Sequence, residues 1–213
     1  MDNRILENIK KANQSITSKA SYDISSARLI SSTLTTEQKI DLFQTRAQFS
    51  GSVVHTACCV HSLKDNLKEI IPAGSSVMSS IQQDLLEKLG SPAAFLPDGA
   101  RYVGNDPLDA EQLFATDIAI TDVTLAVAET GSILVCADKT YPRMKSLVCK
   151  KHIALIQADQ ICSDLMDLSQ YLKTSQLPGG FNLISGPSKT ADIELQLVIG
   201  VHGPAELHLV IIG

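Results

Sequence analysis

Three stretches of the 213-residue sequence combine glycine with side chains that could bind or transform a small anion. The first is Ser185-Gly186-Pro187-Ser188-Lys189-Thr190-Ala191-Asp192, which follows an apolar run. Gly186 permits a tight turn, and the hydroxyls, the Lys189 ammonium and the backbone N–H groups could hold a carboxylate or phosphate. The stretch is not a P-loop, because Leu183 and Ser188 stand where glycines are required. An ordinary capped turn with a solvated lysine accounts for the same residues.

The second stretch is Gly200-Val201-His202-Gly203-Pro204, in which a histidine precedes a Gly-Pro pair. Little side-chain cover is expected there, and an imidazole could act as acid, base or anion donor near neutral pH. A tight turn in which His202 bonds only the backbone is the alternative. His208, six residues later, is interpreted as a structural histidine whose ring is hydrogen-bonded within the following strand.

The third stretch is Ala128-Glu129-Thr130-Gly131-Ser132, at the end of an apolar strand. Ligands of open α/β sheets bind in the crevice beyond the strand ends, so Glu129 could serve as nucleophile or base. The same carboxylate could instead accept backbone N–H groups and hold the turn. Asp122 is a weaker candidate of the same kind.

Composition and cysteine spacing restrict the function class. The chain has 18 basic and 23 acidic residues, which disfavours nucleic-acid and membrane-surface binding. No apolar leader or spanning segment is predicted, and five cysteines without C-x-x-C spacing indicate free thiols in the cytoplasm. We predict neither a cofactor nor a metal; the cluster His55, Cys58, Cys59 lacks the paired ligands of a zinc site.

The elements that must position these stretches are predicted from periodicity. Helices are expected over 1–12, from the capping-box pair Thr35 and Gln38 to Gly51, and over 57–69, 80–89 and 161–172. Apolar runs predict strands near 53–54, 75–78, 117–120, 125–128, 133–136, 153–156, 181–184, 196–199 and 206–212. Residues 91–110 contain repeated Pro and Gly and are predicted to form a long loop. This alternation is typical of an α/β protein with a largely buried sheet.

Three blocks resemble the LUD-domain family, which is the family of lactate-utilisation protein C. They are TDVTLAVAETGSILV (121–135), HIALI (152–156) and ISGPSKTADIELQLVIGVHGPAELHLVII (184–212). The resemblance implies a three-layer α/β/α fold like that of the NagB/RpiA/CoA-transferase group. It covers roughly residues 50–213, so we predict a helical N-terminal segment over 1–50 and a LUD α/β domain over 51–213.

The resemblance also implies a role in oxidising L-lactate to pyruvate with iron–sulfur and oxidoreductase partner proteins. By position, it places Glu129-Thr130-Gly131, Ser185 to Asp192 and His202-Gly203-Pro204 around one pocket. We therefore expect Glu129, Lys189 and His202 to meet at one rim of the sheet. Self-association as a homodimer is a further expectation, because homodimers are the commonest oligomers.

Three functions fit these expectations. The first is an accessory subunit that binds a small anionic ligand through Lys189 and His202. The second is a stand-alone CoA-transferase-like or sugar-phosphate-isomerase-like enzyme that uses Glu129, an analogy drawn from the fold group alone. The third is an interaction scaffold in which the pocket has no ligand.

Overall fold

The computed structural model describes residues 34–104, 109–137, 144–175, 180–191 and 197–213. The helix predicted over 1–12 lies outside these ranges. The helices are α1 (Thr36–Phe49), α2 (Val60–Ile70), α3 (Gln83–Leu89), α4 (Pro92–Phe95), α5 (Ala110–Ala115), α6 (Lys145–Val148) and α7 (Leu165–Thr174). The strands are β1 (Val53–Ala57), β2 (Ser76–Ser80), β3 (Arg101–Gly104), β4 (Ile118–Asp122), β5 (Leu125–Val127), β6 (Ser132–Ala137), β7 (Lys151–Gln157), β8 (Ile161–Cys162), β9 (Gly180–Ile184), β10 (Lys189–Ala191), β11 (Leu197–Ile199) and β12 (Glu206–Ile212).

A six-stranded parallel sheet forms the centre, in the order β1-β12-β7-β4-β2-β3. Its strands are apolar almost throughout, as expected where both faces of a parallel sheet are covered. A second sheet has the order β8-β5-β6-β9, in which β6 is antiparallel to both of its neighbours. The strands β10 and β11 form a separate antiparallel pair.

The central sheet buries a different layer on each face. On one face, Leu63 and Leu67 of α2, Leu85 of α3 and Phe95 of α4 pack into one core. On the other face, α1 and the second sheet pack against the sheet through a separate core. The α/β fold predicted from the sequence is therefore confirmed, with the addition that one outer layer contains a sheet as well as helices.

Helix α1 begins as its capping residues predict. The Thr35 hydroxyl accepts the Gln38 amide N–H, and the Gln38 side chain accepts the Thr35 N–H. The helix ends at Phe49, and Gly51 follows with a φ of +94°. Both Phe43 and Ala47 are fully buried, so α1 packs as part of the core below the second sheet.

The prediction of a long loop over residues 91–110 was wrong. Pro92 stands in the first turn of α4, where a missing N–H costs nothing, and Phe95 is fully buried. Arg101–Gly104 then form β3, the edge strand beside β2. Pro97 and Gly99 lie between α4 and β3, so these two breaker residues separate short elements from one another.

Three predicted helices begin later than their apolar periodicity suggests. The helix predicted from residue 57 starts at Val60, because Ala57 is the last residue of β1. Residues Ser79 and Ser80 pair with β4 in the sheet, so the helix predicted from residue 80 starts at Gln83. Residues 161 and 162 form β8, and α7 begins only after Asp164, whose carboxylate accepts the N–H groups of Met166 and Asp167. None of the helices in the described ranges combines the length and apolarity needed to cross a bilayer.

Candidate functional site

A cavity of about 420 Å³, here called the loop cavity, lies against the amino-terminal ends of β7 and β12. Its wall is formed by α6, β9, the loop after β9 and the loop before β12. The lining residues are Ser146, Leu147, His152, Phe181, Asn182, Leu183, Ile184, Ser185, Gly186, Pro187, Ser188, His202, Gly203, Pro204 and Leu207. Two of the three stretches that were predicted from the sequence to bind or transform a ligand therefore line the same cavity.

Backbone hydrogen bonds join these two loops. The Ser188 N–H donates to the Pro204 carbonyl at 2.8 Å, and the Gly200 N–H donates to the Ser188 carbonyl at 2.9 Å. A Cβ on Gly203 would lie 3.2 Å from the Ser188 Cβ, so glycine permits the close approach. The exposed imidazole of His202 is thereby held at the mouth of the cavity.

His152 lines the inner part of the loop cavity and is only 1% exposed. Its Nε2 lies 2.9 Å from the Thr121 hydroxyl, and its buried Nδ1 has no hydrogen-bond partner among the described residues. Burial lowers the pKa of His152 to about 4, which keeps the ring neutral near pH 7. The sequence predicts an apolar strand at 153–156 and gives His152 no role; a histidine directly before this apolar run was the available signal.

Ser146 and Asn182 are further polar lining residues that were not predicted from the sequence. The Asn182 amide donates to the Ser146 hydroxyl at 3.4 Å, which links β9 to α6 across the cavity wall. No motif marks either residue, because Ser146 is brought to the cavity by α6 and Asn182 by the pairing of β9 with β6.

Glu129 has a different environment. Its carboxylate accepts the Leu165 N–H at 3.2 Å, and its own N–H donates to the Ser163 carbonyl. It is thus placed at the start of α7, where a helix N-terminus favours negative charge, and it does not line the loop cavity. The neighbouring Thr130 hydroxyl is buried without a partner in the described part of the chain.

Gly131 and Gly186 both lie against the end of α1. A Cβ on Gly131 (φ +65°) would lie 2.6 Å from the Ala47 Cα, and one on Gly186 (φ +104°) would lie 2.6 Å from the Ser50 carbonyl oxygen. The adjacent Ser132 and Ser185 hydroxyls are 2.6 Å apart. The turn after β5 and the loop after β9 therefore meet, and they do so around α1.

Lys189 is exposed and turns toward the same helix end. Its ammonium donates to the Ser50 carbonyl at 2.7 Å and does not line the loop cavity. Thr190 pairs with Val198 in the β10–β11 ladder. Asp192 lies outside the described residues. Of the expected trio Glu129, Lys189 and His202, only His202 reaches the cavity.

The remaining candidates lie elsewhere. Burial raises the pKa of Asp122 to about 6, and its carboxylate accepts the Gln82 N–H. His55 and His208 stack, with Nε2 and Nδ1 3.2 Å apart, and burial lowers the pKa of both rings. His208 also contacts Glu206. In the described ranges, no group of three or more His, Cys, Asp or Glu side chains is arranged to hold a metal ion.

A second cavity of about 410 Å³, here called the strand-end cavity, lies at the carboxyl ends of β1, β7 and β12. This is the usual ligand site of an open α/β sheet. Its polar side chains include Cys59 and the hydrogen-bonded pair Lys88 and Gln157. The loop cavity differs in being lined by residues from two of the three stretches that the sequence singles out, Ser185 to Ser188 and His202 to Pro204, and this convergence makes it the stronger candidate.

Comparison with known proteins identifies the family to which the chain belongs. The model of the LUD domain family matches residues 40–212. A Lactate utilization protein C from Anoxybacillus flavithermus is 29% identical over 156 residues, which cover 70% of each chain. A protein of the same name from Macrococcus caseolyticus is 34% identical over a stretch that covers 56% of this chain and 52% of that protein. Another from Deinococcus radiodurans is also 34% identical, over 58% of this chain and 60% of that protein. The chain thus matches little more than half the length of the last two relatives.

A solved structure supports the fold independently. The crystal structure of a DUF162 family protein from Deinococcus radiodurans superposes with a TM-score of 0.61 at 19% identity. The match covers 84% of this chain and 99% of that protein. At that identity the likeness concerns the fold alone.

Proposed function

The chain belongs to the LUD domain family, and from this premise we propose that it acts in lactate utilisation as a subunit that binds a small carboxylate in the loop cavity. The similar proteins are called Lactate utilization protein C, and the substrate and product of lactate oxidation are both short carboxylates. The observation that carries the proposal is the convergence of Ser185–Ser188 and His202–Pro204 on a single cavity.

The chemistry of the cavity supports this class of ligand. The mouth offers the His202 imidazole and the Ser185 and Ser188 hydroxyls, which can donate hydrogen bonds to a carboxylate. Apolar walls from Leu147, Leu207 and their neighbours suit a short carbon chain. Lys189 contributes indirectly, because its bond to the Ser50 carbonyl holds the loop in position.

We further propose that the chain acts together with iron–sulfur and oxidoreductase partner proteins. Four apolar side chains around the cavity mouth expose 39 to 53% of their surface: Leu147, Phe181, Leu183 and Val201. Clustered exposed apolar residues mark interaction sites. We expect Val201→Glu to weaken co-elution with the iron–sulfur subunit while leaving carboxylate binding intact; unchanged co-elution would argue against this docking surface.

Calorimetric titration with lactate, pyruvate and inorganic phosphate tests the binding function. We expect heat with the carboxylates, and His202→Ala should weaken their binding about tenfold because a charge-assisted hydrogen bond is lost. Lys189→Ala, which removes only the positioning contact, should weaken binding about twofold. If no carboxylate produces heat, or if His202→Ala binds as tightly as the wild type, the proposed function is wrong.

A further inference from the structure

Two neighbouring thiols, those of Cys58 and Cys59, lie between β1 and α2 at the edge of the strand-end cavity. Their Sγ atoms are 4.0 Å apart, and both residues are exposed. The other three cysteines are buried or half-buried, and burial raises the pKa of two of them, Cys149 and Cys162, to about 12. The two exposed thiols of the chain are therefore also next to each other.

The Ser62 hydroxyl, in the first turn of α2, fixes the arrangement of the two thiols. Its oxygen accepts the N–H groups of Cys58 and Cys59 at 2.9 and 3.1 Å, and its hydrogen is donated to the Cys59 carbonyl at 3.0 Å. The same oxygen lies 3.6 Å from each Sγ atom. One side chain thus holds both cysteines, so less entropy is lost when the two sulfurs react with each other.

Cys59 is placed to react before Cys58. It directly precedes α2, and the N-terminus of a helix favours a thiolate. The backbone N–H of Ser62, and then its hydroxyl, lower the pKa of the Cys59 thiol. Cys59 also lines the strand-end cavity, whereas Cys58 is not part of that lining. The space beside Cys59 can therefore hold a group joined to its sulfur.

We propose that Cys58 and Cys59 form a redox-modification site that reacts with low-molecular-weight disulfides, in which Cys59 is the attacking thiolate and Cys58 is the resolving thiol. Thiols that respond to oxidants are typically exposed, readily ionised and adjacent to a second cysteine. The site lies at the opposite ends of β7 and β12 from the loop cavity, so it does not depend on the proposed carboxylate site.

The reaction has two exchange steps. In the first, the Cys59 thiolate attacks one sulfur of a disulfide R–S–S–R, so that a mixed disulfide forms and R–S⁻ leaves. In the second, the deprotonated sulfur of Cys58 attacks the Cys59 Sγ atom, and the second R–S⁻ leaves. The two protons of the cysteine thiols end on the two R–S⁻ groups. The cysteines are oxidised to one Cys58–Cys59 disulfide, and R–S–S–R is reduced to two R–SH.

Reaction with glutathione disulfide, followed by mass spectrometry of the intact chain, tests both steps. The wild type should lose two hydrogens and retain no glutathione. Cys58→Ser should retain one glutathione on Cys59, because the resolving thiol is absent. Cys59→Ser should react about tenfold more slowly than the wild type. Cys136→Ser, which removes a half-buried thiol of β6, is the matched control and should behave as the wild type.

Ser62 is a positioning residue for the second step. Ser62→Ala removes the hydroxyl that holds both cysteines, so the mixed disulfide should persist about threefold longer than in the wild type. Ser62→Thr keeps a hydroxyl and should restore the short lifetime. The lifetime is measured by stopping the reaction with acid at successive times. Equal lifetimes in the wild type and Ser62→Ala would contradict this role.

Three results would overturn the proposed site. The first is an equal rate of reaction in the wild type and Cys59→Ser, since Cys59 would then not be the attacking group. The second is a lasting glutathione adduct on the wild type, since Cys58 would then not resolve it. The third is a disulfide-linked dimer as the main product on a non-reducing gel, since the two sulfurs would then not react within one chain.

Discussion

The hydroxyls of Ser132 and Ser185 lie 2.6 Å apart and join two turns that are 53 residues apart in sequence. On either side of this contact, Gly131 and Gly186 lie against the last turn of α1 and the residue after it. Both glycines thus allow the end of α1 to pack closely against the two turns. This packing also positions the loop that forms the wall of the loop cavity.

Gly131 provides the sharpest test of this role. A Cβ there would overlap backbone atoms of Arg46 and Ala47, and the positive φ adds strain. We expect Gly131→Ala to lower the free energy of unfolding by about 3 kcal/mol or more. Gly74 is the matched control: its φ is +82°, but nothing lies within 4 Å of its Cβ position. Gly74→Ala should cost only about 1 to 2 kcal/mol. If denaturant unfolding showed equal losses of stability for Gly131→Ala and Gly74→Ala, the close packing of Gly131 against α1 would not be important for stability.

Glu129 is expected to stabilise α7. Its carboxylate accepts the Leu165 N–H in the first turn of that helix, so Glu129→Gln should lower the free energy of unfolding by about 0.5 to 1 kcal/mol. Glu69→Gln, an exposed carboxylate in the last turn of α2, should cause no loss. Urea unfolding measures both.

The same Glu129→Gln variant tests the enzymatic alternative. Carboxylate binding should be unchanged, because Glu129 does not line the loop cavity. A CoA-transferase-like enzyme that uses this carboxylate would exchange acyl groups between CoA esters and lose that activity in Glu129→Gln. Such a loss would contradict the structural role assigned to this side chain.

The start of α1 and the buried sheet could be predicted from local sequence patterns, and the proximity of two loops was expected from the family resemblance. The capping box of Thr35 and Gln38 is a contact within one helical turn, so its pattern is visible without knowledge of the fold. The apolar runs likewise indicate a buried sheet. The stretches at 185–188 and 202–204 were expected to be near each other, and the structure joins them through Ser188 and Pro204.

The rest depends on long-range packing. The Glu129 carboxylate and the Lys189 ammonium each bind a backbone group from a distant segment, and no local spacing encodes those partners. The contact of His152 with Thr121 and its place in the cavity wall both depend on the pairing of β7 with β4. Because His152 belongs to a strand whose other residues are mostly apolar, no sequence motif marks it as a candidate site residue.

The buried His152 ring should make stability depend on pH. Its pKa is about 4 in the folded chain against 6.5 when exposed, so the unfolded chain binds the additional proton between these values. Stability is lost as the pH falls from 6.5 toward 4, by about 3 kcal/mol at most. The stability difference between wild type and His152→Gln, measured by denaturation across this range, should shrink by that amount. A constant difference would show that the ring titrates normally.

Asp122 should have the opposite pH dependence. Burial raises its folded pKa to about 6 from 3.8, so the charged carboxylate destabilises the fold above pH 6. Asp122→Asn keeps an oxygen for the Gln82 N–H. It should raise the free energy of unfolding by about 1 to 3 kcal/mol at pH 7.5. The gain should vanish below pH 4, and a variant less stable than wild type at pH 7.5 would be inconsistent with this burial cost.

The most direct test of the central claim is a map of the backbone amides whose NMR signals move when pyruvate is added to the wild-type protein. We expect the shifts to cluster at Ser185, Gly186, Ser188, His202 and Gly203, with a further change at His152. Shifts that cluster instead around Cys59 and Gln157, in the strand-end cavity, or the absence of any shift, would contradict the claim that the loop cavity binds the carboxylate.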